Sequence, residues 1–182
     1  MEVVSVGEHD AELALLVGHV ALETATLDYW ACHVVAKVLG DDDAAWHRWF
    51  GQSGQQLLDG LRSGSVADPR LRDLTPAMAS VIDRRNQALH GLWFHDGERG
   101  ANAYEIARPV RRSVGSDDRL VTLEDLRVLR HDVATLDTYV FVVWSSLTPT
   151  AQYGTRELVP SMDLRLPSLE GIAERRWPVS AD

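Results

Sequence analysis

Cysteine is nearly absent from this chain of 182 residues: Cys32 is the single copy. One thiol cannot close an intramolecular disulfide, and a thiolate-held metal cluster is excluded with it. Lysine is equally scarce, Lys37 standing alone among arginines. That skew, with abundant Ala, Val and Leu, suits a GC-rich bacterial coding sequence and says nothing of function. No apolar run approaches the roughly 20 residues that span a bilayer, so no membrane location is expected. The start, Met1-Glu2-Val3-Val4-Ser5, lacks the basic head and apolar stretch of a signal peptide. Gly51-Gln52-Ser53-Gly54 is not followed by the lysine of a phosphate-cradling loop. There is no HExxH pair, and His47, His90, His95 and His131 form no metal-ligand pattern. These absences lead us to expect a cytoplasmic protein with no metal and no cofactor.

Positive charge is also in short supply. The net charge of −9 argues against a broad nucleic-acid groove, because phosphate binding relies on clustered cations. The deficit is uneven, however. Between Arg84 and Arg119 seven arginines face five acids. Arg108, Arg111 and Arg112 in this window read either as a solvated, arginine-rich hairpin or as a local phosphate-binding rim.

What the chain does have is helical periodicity. Its length and its 45% hydrophobic content suffice for one domain with a buried core. Leu13, Leu16, Val20, Leu27, Trp30, Val34 and Val38 recur at helical intervals and predict a long first helix over 11–39. Glu23 occupies an inward slot in that stripe. It either reaches water at the stripe's edge or pairs with an arginine of a neighbouring helix, Arg84 or Arg85 being the candidates. Asp41-Asp42-Asp43 ends the helix and can cap a short segment bearing Trp46, Trp49 and Phe50, an aromatic group expected in the core or at a dimer interface. Ser53 and Gln56 have the form of a capping box and open a second helix with Leu57, Leu58 and Leu61.

A third helix begins near Pro69, with Leu71, Leu74, Met78, Val81, Ile82, Leu89 and Leu92 on its apolar face. Asp96-Gly97 and the alternation at Tyr104-Glu105-Ile106 predict a small β-hairpin after it. Ser113 to Asp118 reads as a polar loop. Thr122 and Asp125 cap a fourth helix carrying Leu126, Leu129, Val133, Leu136, Val140, Val143 and Leu147. The expected fold is all-α, a bundle of about four main helices with a small β-hairpin insertion, over residues 1–147. Residues 148–182, punctuated by Pro149, Pro160, Pro167 and Pro178, form a C-terminal extension with a short helix expected near Leu169 to Arg176.

Chemistry concentrates at Arg85-Asn86-Gln87-Ala88-Leu89-His90-Gly91, late in the third helix. Arginine holds phosphate through its fork of donors, and histidine exchanges protons near neutral pH. Arg85 falls between Ile82 and Leu89 on the inward side, where an arginine needs a partner. On an ideal helix Arg85 and His90 lie about 140° apart, so one regular helix does not bring them together. A two-fold axis joining two copies would do so, as would unwinding near Gly91. The bland alternative is that Arg85 pairs with Glu23 and His90 merely caps the helix end.

The run Arg85-Asn86-x-x-x-His90 resembles the signature of the HEPN superfamily of small helical proteins, an arginine followed by a histidine after four to six residues. Arg84 also meets the spacing. The long first helix with its embedded Glu23, and His90-Gly91-Leu92-Trp93 leading out, agree with it from about Ala11 to Leu147. The resemblance implies a metal-independent endoribonuclease, of the kind that acts in toxin–antitoxin or phage-defence systems, and a homodimer with two motifs in one cleft. It implies His90 as the proton-transfer residue, Arg85 as the stabiliser of the charged phosphate, and Asn86 as the orienting group. Arg84, with Arg108, Arg111 and Arg112, would assist in holding RNA. The partners implied are RNA, a second copy, and an antitoxin or operon protein. The resemblance admits a second outcome, a non-catalytic helical dimer that binds a protein or nucleotide. Leu92 stands where a subgroup paired with a nucleotidyltransferase has tyrosine, so silencing by modification is not implied.

Overall fold

A computed structural model describes residues 8–40, 48–49, 54–95, 103–107, 119–147 and 165–179. Four helices dominate: α1 (Glu8–Val38), α2 (Gly54–Gly64), α3 (Arg70–His90) and α4 (Leu123–Leu147). Three strands, β1 (Leu92–His95), β2 (Ala103–Ala107) and β3 (Arg119–Thr122), lie between α3 and α4. The expected helical bundle with a small β insertion is the observed fold. The aspartates 41–43, Trp46, His47, Phe50, Ser53, the 96–97 turn, the 113–118 loop and residues 148–164 lie outside the described residues.

The helix faces follow the apolar spacing. Leu16, Val20, Leu27 and Val34 of α1 are buried, as are Leu126, Leu129, Val133, Leu136, Val140 and Val143 of α4. These two stripes face each other along the most extensive helix contact of the fold. Trp30 seals one end, with its ring centroid 5.5 Å from Phe141 and 4.8 Å from Trp144. Gly40 ends α1 at φ 76°, the left-handed conformation that glycine adopts without penalty.

Short α2 closes a third side with Leu57, Leu58 and Leu61 buried. Gly60 allows the close approach: a methyl there would meet Trp49 and Val35 at 2.8 Å. α3 starts where Asp68 accepts the Arg70 backbone N–H at 3.0 Å, with Pro69 opening the helix as expected. Thr122 and Asp125 form a reciprocal box at the head of α4: the Thr122 N–H donates to Asp125 at 2.8 Å, and the Asp125 N–H donates to Thr122 Oγ1 at 3.1 Å.

The insertion has one strand more than a hairpin. β1 pairs antiparallel with β2, setting Leu92 opposite Ala107, and β2 pairs with β3, setting Tyr104 opposite Val121. The C-terminal segment departs from expectation in one respect: Leu169 to Arg176 forms a turn, not a helix. Of the two seats open to it, the domain or a partner, residues 165–179 pack on the domain. Ile172 and Trp177 are buried in the common core. The Leu120 N–H donates to the Pro178 carbonyl at 3.1 Å, and Arg119 bridges to Val179, lengthening the sheet edge.

Candidate functional site

The motif residues occupy the last two turns of α3. The helix stays regular through His90, where the Gly91 N–H donates to the Gln87 carbonyl at 2.9 Å. Gly91 itself is extended (φ −83°, ψ 157°) and feeds straight into β1. The unwinding that would swing Arg85 toward His90 is therefore not present.

The two adjacent arginines have different environments. Arg84, not Arg85, is the one sealed inside, with its side chain 2% exposed. It lies in line with buried Ala77, Val81 and Ala88, one helical step from the expected inward position. Its guanidinium donates to Asp132 Oδ2 at 2.7 Å, and Arg175 of the C-terminal segment takes the other oxygen of the same carboxylate. Burial pulls the Arg84 pKa down, with Arg175 and Arg176 adding to the fall and Asp132 opposing it. Ser80 fastens the segment by donating to the Arg175 carbonyl at 2.9 Å. Arg84 is thus a buried cation paired with Asp132 inside the fold.

Arg85 sits at the edge of the helix pair, with its side chain 14% exposed. Its NH1 donates to Asp28 Oδ2 of α1 at 2.6 Å, and its Nε to Asn86 Oδ1 at 3.3 Å. The first residue of α2 approaches it: a methyl built on Gly54 would stand 3.6 Å from Arg85 NH2. Burial raises the Asp28 pKa, while the charge and hydrogen bond of Arg85 pull it down. One turn along α1, burial and the Asp28 charge push the Cys32 thiol up to about 12. His90, the final residue of the helix, is exposed.

Glu23 is not the partner of either motif arginine. It accepts from Arg130 Nε of α4 at 2.7 Å, with His19 3.9 Å away on its own helix. Its second oxygen and Asp137 Oδ1 are buried without a hydrogen-bond partner among the described residues. Burial raises the Asp137 pKa, and the Glu23 charge adds to the rise. Glu23 therefore belongs to the α1–α4 contact and not to the motif. Arg108, Arg111 and Arg112 lie outside the described residues.

The structure thus brings Arg85 and Asn86 together and leaves His90 on a different face of the same helix. Sequence reasoning missed Asp28 and Asp132. Both had a signal: Asp28 continues the inward line of Thr24, Ala31 and Val35, and Asp132 that of Leu129, Leu136 and Tyr139. An acid in such a slot calls for a buried cation. Among the described residues no group of three or more His, Cys, Asp or Glu side chains is placed to hold a metal ion, and no helix is long and apolar enough to cross a membrane. No known protein family, curated protein or solved structure matches the chain.

Proposed function

We propose that this chain is a HEPN-type endoribonuclease whose cleft is completed by a second copy. The observation that carries the reading is the contrast between the two arginines. Arg84 is consumed by Asp132 inside the fold, while Arg85 is presented at the edge with Asn86 against it and an exposed His90 five residues on. In this reading Arg85 stabilises charge on the scissile phosphate, and Asn86 orients it. His90 of the second copy moves the proton as the RNA 2′-hydroxyl attacks the adjacent phosphorus. The bond to the 5′-oxygen breaks, leaving a cyclic phosphate and a 5′-hydroxyl. A toxin or defence role, with an antitoxin or operon partner, belongs to the same reading.

One observation favours a second reading, a non-catalytic HEPN-like module that binds a protein or nucleotide. Asp28 already occupies one side of the Arg85 guanidinium, and phosphate must share what is left. Incubation of the purified chain with varied RNAs in EDTA separates the two. The ribonuclease reading expects cyclic-phosphate ends from the wild type and loss of cleavage in both R85A and H90A, with the fold retained. Identical behaviour of the wild type and both variants, all folded, rejects it.

A further inference from the structure

The three-stranded sheet has two unlike faces. Trp93, Tyr104, Ile106 and Val121 point inward: the last three are buried, and Trp93 packs on the core with its ring centroid 5.9 Å from that of Tyr104. The register sets Phe94 opposite Glu105 and Glu105 opposite Leu120. Residues directly opposite in an antiparallel pair share a face, so these three form one row across the outer side of the sheet.

Phe94 is 52% exposed and stacks on no other aromatic ring among the described residues. Glu105 is half-buried between Phe94 and Leu120, and it makes no hydrogen bond or ion pair among the described residues. A carboxylate partly withdrawn from water beside two apolar side chains lacks the donors that would offset its desolvation. An open aromatic face next to an unclaimed acceptor matches a flat ring that carries donors on its edge.

The place of the row along the chain says which kind of ring. β1 leaves the last turn of α3 through the extended Gly91. Phe94 is four residues from His90, so their Cα atoms are at most about 14 Å apart. Both lie between Arg84 and Arg119, where arginines outnumber acids in a chain of net charge −9. From this row we infer that Phe94 stacks on a base of the RNA and that Glu105 reads its edge, selecting guanine. The inference rests on the ribonuclease reading for its ligand and adds which nucleotide is taken.

A carboxylate offers two acceptors and no donor. Guanine alone among the RNA bases presents two adjacent donors on its Watson–Crick edge, the ring N–H and the 2-amino group. Adenine and cytosine each set one amino group beside a bare ring nitrogen, which a carboxylate repels. Uracil sets its single N–H between two carbonyls, with the same result. A base splayed onto an aromatic side chain leaves that edge free for hydrogen bonding. Glu105 repels phosphate, so its contribution comes through the base and not through the backbone. In a chain without a broad cationic groove, selectivity of this kind does not depend on clustered charge.

Pentamers of 2′-fluoro RNA lack the attacking hydroxyl and so test the site apart from catalysis. Fluorescence anisotropy of labelled UUGUU, UUIUU (I being inosine) and UUAUU is measured against the full chain at low salt, with far-UV circular dichroism as the fold control. UUGUU is expected to bind roughly tenfold more tightly than UUAUU. The inosine strand, which keeps the ring N–H and lacks the amino group, falls between them. E105Q, which replaces one acceptor by a donor, is expected to abolish the preference for UUGUU. F94A is expected to weaken all three by roughly fivefold or more, and F94Y to retain wild-type binding. Failure of every pentamer to bind overturns the inference, as do equal affinities for the three, a guanine preference that survives E105Q, and binding indifferent to F94A. Guanine-selective binding by a chain that cleaves no ordinary RNA upholds the site and rejects catalysis. Cleavage without guanine-selective binding overturns the site and leaves catalysis standing.

Discussion

Asp28 holds Arg85 across the α1–α3 contact, Oδ2 to NH1 at 2.6 Å, in a pair only partly closed to solvent. A carboxylate at that distance competes with any phosphate approaching the same guanidinium. D28N keeps the shape and removes the charge. It is expected to tighten binding of a short RNA by roughly three- to tenfold at low salt, with the gain shrinking as salt is raised. Fluorescence anisotropy across a salt series measures it. Weaker binding by D28N would mean that Asp28 positions Arg85 for its ligand.

Asp132 serves two arginines from a fully buried position. Its removal in D132A strands Arg84 inside the core without a counter-charge. Breaking a buried pair by deleting one partner costs about 3–5 kcal/mol. For a chain of this size that corresponds to a fall in Tm of roughly 6–20 °C, read by thermal melting.

Asp137 should make the protein less stable at neutral pH than its asparagine variant. Burial and the neighbouring Glu23 raise its folded pKa above the ordinary 3.8. Above the folded pKa the penalty of the buried charge is fully present. As pH falls through that value the folded form takes up a proton and the penalty fades, vanishing below the unfolded pKa. D137N is therefore expected to melt higher than the wild type at pH 7, by on the order of 2 °C, and to match it near pH 3. A gap that widens in acid would contradict this sign.

The Cys32 thiol, pushed up to about 12, holds almost no thiolate at neutral pH. Native protein is expected to react with iodoacetamide far more slowly than denatured protein at the same pH, as followed by mass spectrometry. Equal rates would show that the end of α1 opens readily.

The helices were legible because each keeps a 3.6-residue apolar period, and Leu126 through Val143 form an unbroken stripe. β3 was not, since Arg119-Leu120-Val121-Thr122 buries only Val121 and exists as a strand because Tyr104 and Ile106 lie ready to pair with it. Ile172 and Trp177 were hidden for a similar reason: two isolated apolar residues in a proline-punctuated segment carry no period, and their burial is set by distant partners. Of the site, the sequence showed the Arg-His spacing but not the partners. Which acid meets which arginine depends on how far one helix slides along another. That slide gave Glu23 to Arg130, Asp28 to Arg85 and Asp132 to Arg84.

Arg84 and the carboxylate that receives it are separated by 48 residues of chain. A ribosome adding roughly 5–20 residues per second needs about 2–10 seconds to make that stretch. Throughout that interval Arg84 has been made and the carboxylate that buries it has not, so α3 has no settled seat. The second arginine on Asp132 comes 43 residues later still. The Arg85–His90 segment is thus synthesised well before the contacts that fix its neighbour Arg84 in the fold, and the last of them arrives only with Arg175.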